Sequence, residues 1–332
     1  MISVVVVNWN RRELLRACLA SLRLQTAAEF EIIVVDNGST DGSAEMAGSE
    51  FGARVIRNER NRGFCAANNQ GIAAARGDFV ALLNNDAEAE PAWLAALYSA
   101  CARRPDVGMA ASKALVWEDP RRIDKAGHLI FPDGQNRGRG SGEWDKGQYE
   151  REEEVLWPDG CAAMYRKAML DEIGGFDEDF FAYGDDAELG LRARIAGWKC
   201  VYTPGAVVRH HRGATLGKDS VRRLELIERN RVLLALKLFP WSLLWLNPLF
   251  FAARVAAGAA LAGRGAGDTV HFRGMRGKWA IACALARADW QALRLAPRML
   301  RKRARIRRIR RLSPAEVRRL IWNHRLSLRS VA

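Results

Sequence analysis

The sequence predicts an α/β fold, a mostly parallel sheet flanked by helices, with a basic helical region after it. Three observations lead there. Continuous β-branched runs such as Ile2 to Val7 and Ile32 to Val35 suit strands buried on both faces. These runs alternate with segments of helical periodicity, the mark of strand–helix–strand units. Three of the runs also stop at polar residues: Asn8, Asp36 and the series Asn84-Asn85-Asp86. In open α/β sheets ligands lie beyond the carboxyl ends of the strands, so three such ends point to one cleft. Any one of these residues alone is explained by capping a strand or opening a turn; their recurrence favours a site.

Taken in order, strand Ile2 to Asn8 is followed by a helix that Asn10 can cap. Glu13 stands at capping-box spacing, and Leu14, Leu15, Cys18, Leu19 and Leu22 form the apolar stripe. Strand Glu31 to Val35 leads to a helix from about Ser43, strand Arg54 to Arg57 to a helix through Ala66 to Ala75, and strand Phe79 to Leu83 to a helix through Trp93 to Cys101. From Asp119 to Glu154 periodicity fails and Gly, Asp, Arg and Glu dominate, which reads as a mobile surface insertion or hairpin region, a candidate lid. Order resumes with Val155-Leu156-Trp157, helices at Arg166 to Ile173 and Asp185 to Ala196, and strand Lys199 to Tyr202. The run Ala206 to Arg209 ends at His210. The chain then changes character, giving an expected division into a domain at 1–230 and an extension at 231–332.

In that extension Val232 to Gly263 is almost wholly apolar, interrupted by Lys237, Pro240, Asn247, Pro248 and Arg254. A transmembrane helix needs about 20 apolar residues, so an interfacial hairpin or a packed helical pair fits this broken segment better. The basic run Arg301 to Arg311 follows, then a last helix with Ser313 as cap, Pro314 in its first turn and Glu316 completing a capping box. The net charge of the 332 residues is +14, and from Arg287 onward 15 Lys and Arg face only Asp289 and Glu316, so the rest of the chain is nearly neutral. An apolar segment beside such a tail suits an anionic membrane surface. Six singly spaced cysteines, without any C-x-x-C pair, favour reduced thiols, and the N-terminus opens on a strand rather than a basic leader. The expected location is cytoplasmic, peripheral on the inner face of the cell membrane.

Several constellations carry chemistry. Asp36 begins the polar turn Asp36 to Ser43, where a strand-end carboxylate can accept the N3 proton of a uracil or thymine ring. Asn61-Arg62-Gly63-Phe64 through Asn68-Asn69 puts glycine and amides at a helix start, where backbone N–H groups favour anions. Asp185, Asp186 and Glu188 begin a helix whose macrodipole stabilises them; adjacent acids in a cleft also raise one another's pKa, as a general base requires. No G-x-G-x-x-G follows the first strand, which argues against a dinucleotide site. Gly213 to Asp219 is one residue short of a phosphate loop and lacks Ser or Thr after its lysine.

In sequence order, Val4 to Asn8, Val34 to Ser43, Asn61 to Asn69, Leu82 to Asp86, Gly174 to Asp177, Tyr183 to Arg192 and His210-x-x-Gly213-x-Thr215 resemble family 2 glycosyltransferases, in particular their rhamnosyltransferase-like branch. The resemblance covers roughly residues 1–230. It implies a GT-A fold, a nucleotide-diphosphate sugar donor, a divalent cation, Mn²⁺ or Mg²⁺, and inversion at the anomeric carbon. By position it implies Asp36 as the base-recognising acid, Asp86 and His210 as metal ligands and Asp186 as the general base, with Asp185 beside it. Asn8, Asn61, Gly63, Asn68, Asn85 and Gly160 complete the expected donor-binding set with Asp36. Asn84 replaces the first acid of the D-x-D motif, and Asp185-Asp186 replaces Glu-Asp. The implied acceptor is a hydroxyl of a saccharide or polyprenyl-linked saccharide, and rhamnose from dTDP is the donor that the resemblance suggests.

Two competing classes are a nucleic-acid-binding protein using the basic tail and a nucleotidyltransferase on a similar sheet. The tail carries arginines on nearly all helix faces with few stacking aromatics and no known recognition motif, so no nucleic acid is expected. A nucleotidyltransferase would form a diphosphate and release no nucleoside diphosphate.

Overall fold

The computed structural model describes residues 1–27, 29–211, 220–263 and 274–331. They form two compact units: residues 1–128 with 138–214, and 129–137 with 215–332. The boundary expected at residue 230 falls inside helix α7 (Val221–Leu238).

The first unit opens with β1 (Ile2–Asn8), α1 (Arg12–Arg23), β2 (Phe30–Asp36), α2 (Ser43–Phe51), β3 (Arg54–Arg57), α3 (Phe64–Ala74) and β4 (Phe79–Leu83). It continues through β5 (Ala87–Ala89), α4 (Trp93–Ala102), β6 (Val107–Val116) and β7 (Ile123–Lys125). Next in the chain is the hairpin β8 (His128–Ile130) and β9 (Asn136–Gly138), most of which belongs to the second unit; the first unit resumes with β10 (Glu153–Val155), β11 (Ala162–Arg166), α5 (Lys167–Ile173), α6 (Asp185–Ile195) and β12 (Lys199–His210). The sheet order is β10-β12-β6-β11-β4-β1-β2-β3, with β5 on β12 and β7 on β6. Strand β1 pairs in parallel with β2 and β4, as the alternating pattern predicts, and Asn8 stands in register with Asp36. Strand β11, by contrast, inserts antiparallel between β4 and β6. A strand's alternation says nothing of its direction, so that reversal has no local signal.

The core of this unit joins β1, β2 and β4 to α1 and α4 through Val4, Val6, Leu15, Leu19, Val34, Ala81, Trp93 and Leu97, all buried. The capping box expected at Asn10 and Glu13 does not form, since Arg11 is the cap residue and no side chain caps α1 there. A distant partner takes the place instead: Asp41 Oδ2 accepts the Arg12 N–H at 2.9 Å, while Asn10 Oδ1 accepts from Thr40 N at 2.8 Å. The turn after β2 thereby pins the start of α1.

The irregular stretch 119–154 is a hairpin region, as expected, but not merely a surface one. Ile123, Asp124, Ala126 and His128 are all buried. Its strands are three residues each, too short to show periodicity.

In the second unit α7 packs on α9 (Gly274–Ile306), beside α8 (Trp241–Gly263), α10 (Pro314–Asn323) and α11 (Leu328–Val331). The Ser313–Glu316 capping box forms with Pro314 at the first turn. Of the two prolines expected to interrupt the apolar segment, only one does so. Pro240 ends α7, yet Pro248 lies within α8, and Trp241–Leu261 is long and apolar enough to cross a membrane by length and composition.

Candidate active site

The site is assembled by register. Strand β5 pairs antiparallel with β12, setting Ala87 opposite His210, so Asp86, which precedes β5, meets the histidine that ends β12. His210 Nε2 lies 3.3 Å from Asp86 Oδ1. Strand β7 flanks β6, the parallel neighbour of β12, and brings Asp124 against the other ring nitrogen, with Nδ1 2.8 Å from Asp124 Oδ2. The Asp124 carboxylate on Nδ1 orients the ring and turns Nε2 towards Asp86. Burial raises the Asp86 pKa, but the hydrogen bond and charge of His210 outweigh it and hold this carboxyl below the usual range. Asp86 presents a charged oxygen, and His210 an imidazole nitrogen once a cation displaces the Nε2 proton, both of them ligand types that a divalent cation takes.

A second group adjoins this one. Asp159 precedes Gly160 and β11; its Oδ1 accepts from Cys161 N at 2.9 Å, and its Oδ2 pairs with Lys125 and stands 3.4 Å from His128 Nε2. Burial opposes ionisation of Asp159, yet the charges of Lys125 and His128 outweigh it and hold the carboxyl well below its ordinary value. The same His128 Nε2 is 3.8 Å from Asp186 Oδ2, and Gly160 N donates to that oxygen at 3.4 Å. His128, Asp159 and Asp186 have ligand atoms within 4.8 Å of one another. Lys125 pairs with Asp159 within this second group.

The two adjacent acids of α6 face different surroundings. Asp186 Oδ1 accepts from Ala187 N at 2.8 Å at the helix start, and its other oxygen looks towards Gly160 and His128. Asp185 is buried. Burial first, and the charge of Asp186 second, push its carboxyl well above the ordinary value of 3.8. A raised folded-state pKa means the native state keeps a proton that the unfolded chain releases, so stability falls as pH rises through the interval beginning near 3.8. Asp185→Asn removes this loss. Urea unfolding across a pH series is expected to show a variant more stable than wild type at neutral pH, the gap closing in acid; parallel pH profiles would contradict the assignment.

The position of α6 depends on a close approach. A Cβ at Gly190 would meet Trp157 Cβ at 2.1 Å and Cγ at 2.7 Å. Trp157 is fully buried and stacks on His128, so it has nowhere to retreat. Gly190→Ala is expected to cost ~1–3 kcal/mol, the usual range for overpacking, measured by denaturant unfolding. An unchanged midpoint would show that α6 and Trp157 are looser than this packing.

The remaining expected residues fall along the ends of β1, β2 and β4. Asn8 Oδ1 accepts from Asn85 Nδ2 at 2.6 Å, and Asn8 Nδ2 donates to Ser39 Oγ at 3.3 Å. Asp36 Oδ2 accepts from Ser39 N at 3.0 Å, while its buried Oδ1 has no hydrogen-bond partner among the described residues. Asn61 Oδ1 accepts from Gly63 N and from Asn37 Nδ2, at 2.9 and 3.0 Å. Gly63 holds φ +85° with the Phe181 ring where a Cβ would sit, so only glycine fits. Asn68 is turned inward, its Nδ2 donating to Phe64 O within α3 at 3.0 Å. Gly213 and Thr215 lie outside the described residues. Sequence reasoning missed Asp124, Lys125, His128, Asp159 and the hub Asn37, whose Oδ1 accepts from Arg62 N at 3.0 Å and Asn58 Nδ2 at 3.1 Å. The pair Asp159-Gly160 just ahead of the small-residue run Cys161-Ala162-Ala163 was the one signal available.

A mostly parallel sheet thus gathers carboxylates, amides and a histidine at its strand ends, where α/β folds bind their ligands. The chain belongs to glycosyl transferase family 2, whose family model matches residues 3–174. It is 29% identical over 248 residues to the N-acetylglucosaminyl-diphospho-decaprenol L-rhamnosyltransferase of Mycobacterium tuberculosis, covering 68% of this chain and 80% of that protein. An uncharacterised Sinorhizobium fredii protein, y4gI, is 29% identical over 238 residues, 66% of this chain but only 25% of its own length. Among solved structures, GalNAc-T7 with UDP, GalNAc and Mn²⁺ aligns with a TM-score of 0.61 at 17% identity, covering 78% of this chain and 51% of that one. This last likeness speaks for the GT-A-like fold.

Proposed function

We propose that this family 2 glycosyltransferase moves a sugar, rhamnose from dTDP-rhamnose as the leading donor, to a hydroxyl of a polyprenyl-diphosphate-linked saccharide. The reaction serves cell-surface polysaccharide synthesis at the cytoplasmic face of the membrane, with an anionic membrane surface as the second partner. The observation that carries the reading is the convergence of Asp86, His210 and Asp124 beside Asp159, His128 and Asp186 at the strand ends. The Mycobacterium tuberculosis relative supports the choice of sugar and of a lipid-linked acceptor.

The unpartnered Oδ1 of Asp36 is suited to accept a ring N–H of the donor's pyrimidine, and Asn8 and Asn85 line the same strand ends. Asp86 and His210 would hold the divalent cation, Mn²⁺ in preference to Mg²⁺ because imidazole is a ligand that Mg²⁺ takes reluctantly. When bound, the cation offsets charge on the leaving diphosphate. Asp186 is placed to take the proton of the acceptor hydroxyl as that oxygen attacks the anomeric carbon from the side opposite the nucleotide. Gly160 N and His128 orient its carboxylate. Asp185, buried behind it, stays out of contact with substrate.

The test is thermal-shift screening of the purified chain against a panel of nucleotide sugars with Mn²⁺. The expected result is a rise in Tm with dTDP-rhamnose that disappears on chelation. No shift with any nucleotide sugar would overturn the reading.

A further inference from the structure

Helix α8 is amphipathic in the inverted sense. Its inner side carries Leu243, Asn247, Phe250, Phe251 and Arg254, buried or half-buried, whereas the residues pointing away are Trp241, Trp245, Leu249, Ala252, Ala253, Val255 and Ala256, all exposed. Trp245 is 80% and Leu249 68% exposed, so the apolar side has no protein cover among the described residues. A water-facing helix places its polar residues outward; this one turns its amide and its guanidinium in.

Those inward groups have defined partners. Asn247 Nδ2 donates to Asp133 O at 2.9 Å. Arg254 reaches both carboxylate oxygens of Glu228 at 2.9 Å and Asp133 Oδ2 at 2.6 Å, while Arg231 donates to Glu228 at 2.9 Å and Phe251 lies under both guanidiniums. Asp133 belongs to the hairpin tip at 129–137 and Glu228 to α7, a helix with charges in nearly every turn. Arg254 is the fourteenth of 23 residues in α8, so a helix that crossed a bilayer would carry this ion-pair cluster into the hydrocarbon or break it.

We propose that α8, although long enough to span, lies in the plane of an anionic membrane surface as a monotopic anchor. Its outer face Trp241-Trp245-Leu249-Val255 enters the boundary between headgroups and acyl chains, and Arg254 ties its inner face to α7 and the hairpin. Lipid rather than protein is the occupant because of the surrounding charge. Helix α9 exposes Trp279, Trp290 and Leu293 together with Arg287, Arg294 and Arg298, and the chain from Arg287 onward carries 15 Lys and Arg against two acids. Aromatic residues beside arginines match an anionic interface.

The inference deepens the membrane-surface part of the proposed function and rests on it. Its first test is co-sedimentation of the full chain with phosphatidylglycerol–phosphatidylcholine vesicles. Wild type is expected to pellet, and Trp245→Glu combined with Leu249→Glu to lower the bound fraction at least about tenfold, without change in Tm because both side chains are exposed. Wild type left in the supernatant, a double variant that pellets like wild type, or a concentration-dependent dimer that the variant abolishes would each overturn the proposal. The second test separates lying from spanning. Ser242→Cys and Ala260→Cys, each in a Cys283→Ser background that removes the exposed native thiol, are treated with an impermeant maleimide in sealed inside-out membrane vesicles from expressing cells. Both are expected to react without detergent; a site that reacts only after vesicle lysis would show a spanning helix. Release of nucleoside diphosphate by the soluble double variant keeps the two readings distinguishable, since it persists if only the anchor is misassigned.

Discussion

Asp186→Asn is expected to lower kcat by ~10²–10⁴-fold while leaving donor affinity nearly unchanged, the usual loss when a general base is removed. Asparagine keeps the size and the Gly160 contact of the side chain but cannot take a proton. The neighbouring acid cannot substitute, because Asp185 is buried and its carboxyl holds its proton well above the usual range. Asp185→Asn should therefore leave kcat within a few-fold of wild type. Steady-state kinetics of both variants, with donor binding measured separately by calorimetry, decides the matter. If Asp185→Asn proves the more damaging of the two, the base has been assigned to the wrong member of the pair.

Asp86→Ala is expected to abolish Mn²⁺-dependent donor binding with the fold preserved, since Asp86 stands past the end of β4 and is not part of the apolar core. Removing the carboxylate takes away the charged oxygen of the pair and strips the imidazole of one of its two acidic neighbours. Asp124→Asn acts one step removed. The ring nitrogen it orients stays in place, so metal affinity is expected to fall ~10–100-fold, as for other outer-shell partners of ligating histidines. Titration of Mn²⁺ followed by electron paramagnetic resonance would rank the two variants. Wild-type Mn²⁺ affinity in Asp86→Ala would move the metal to another group of residues.

How much of this was legible in the sequence depended on the length of the element that carries it. Strands β1, β2 and β4 carry apolar runs of which four or five consecutive residues are buried, and the polar residues Asn8 and Asp36 at two of their ends and Asp86 just past the third were readable with them. The other half of the site was not. Asp124 and His128 sit in strands of three residues inside a Gly- and Arg-rich stretch, where neither period can be recognised. The cap of α1 was misread for a related reason: the local Asn10–Glu13 spacing is correct, but Asp41, 29 residues on in sequence, reaches the Arg12 N–H instead. Only the fold shows that partner. Pro248 misled in the opposite direction, because proline usually ends a helix and here α8 runs on for fifteen more residues to Gly263.

The measurement closest to the central claim follows both products of one reaction: dTDP-rhamnose, Mn²⁺ and a polyprenyl-diphosphate-linked N-acetylglucosamine acceptor, with nucleotide release monitored by chromatography and the new anomeric centre by NMR. The account predicts one dTDP released per acceptor glycosylated, with the anomeric configuration inverted. Diphosphate formation in place of dTDP, or a product that retains the donor's configuration, would contradict it.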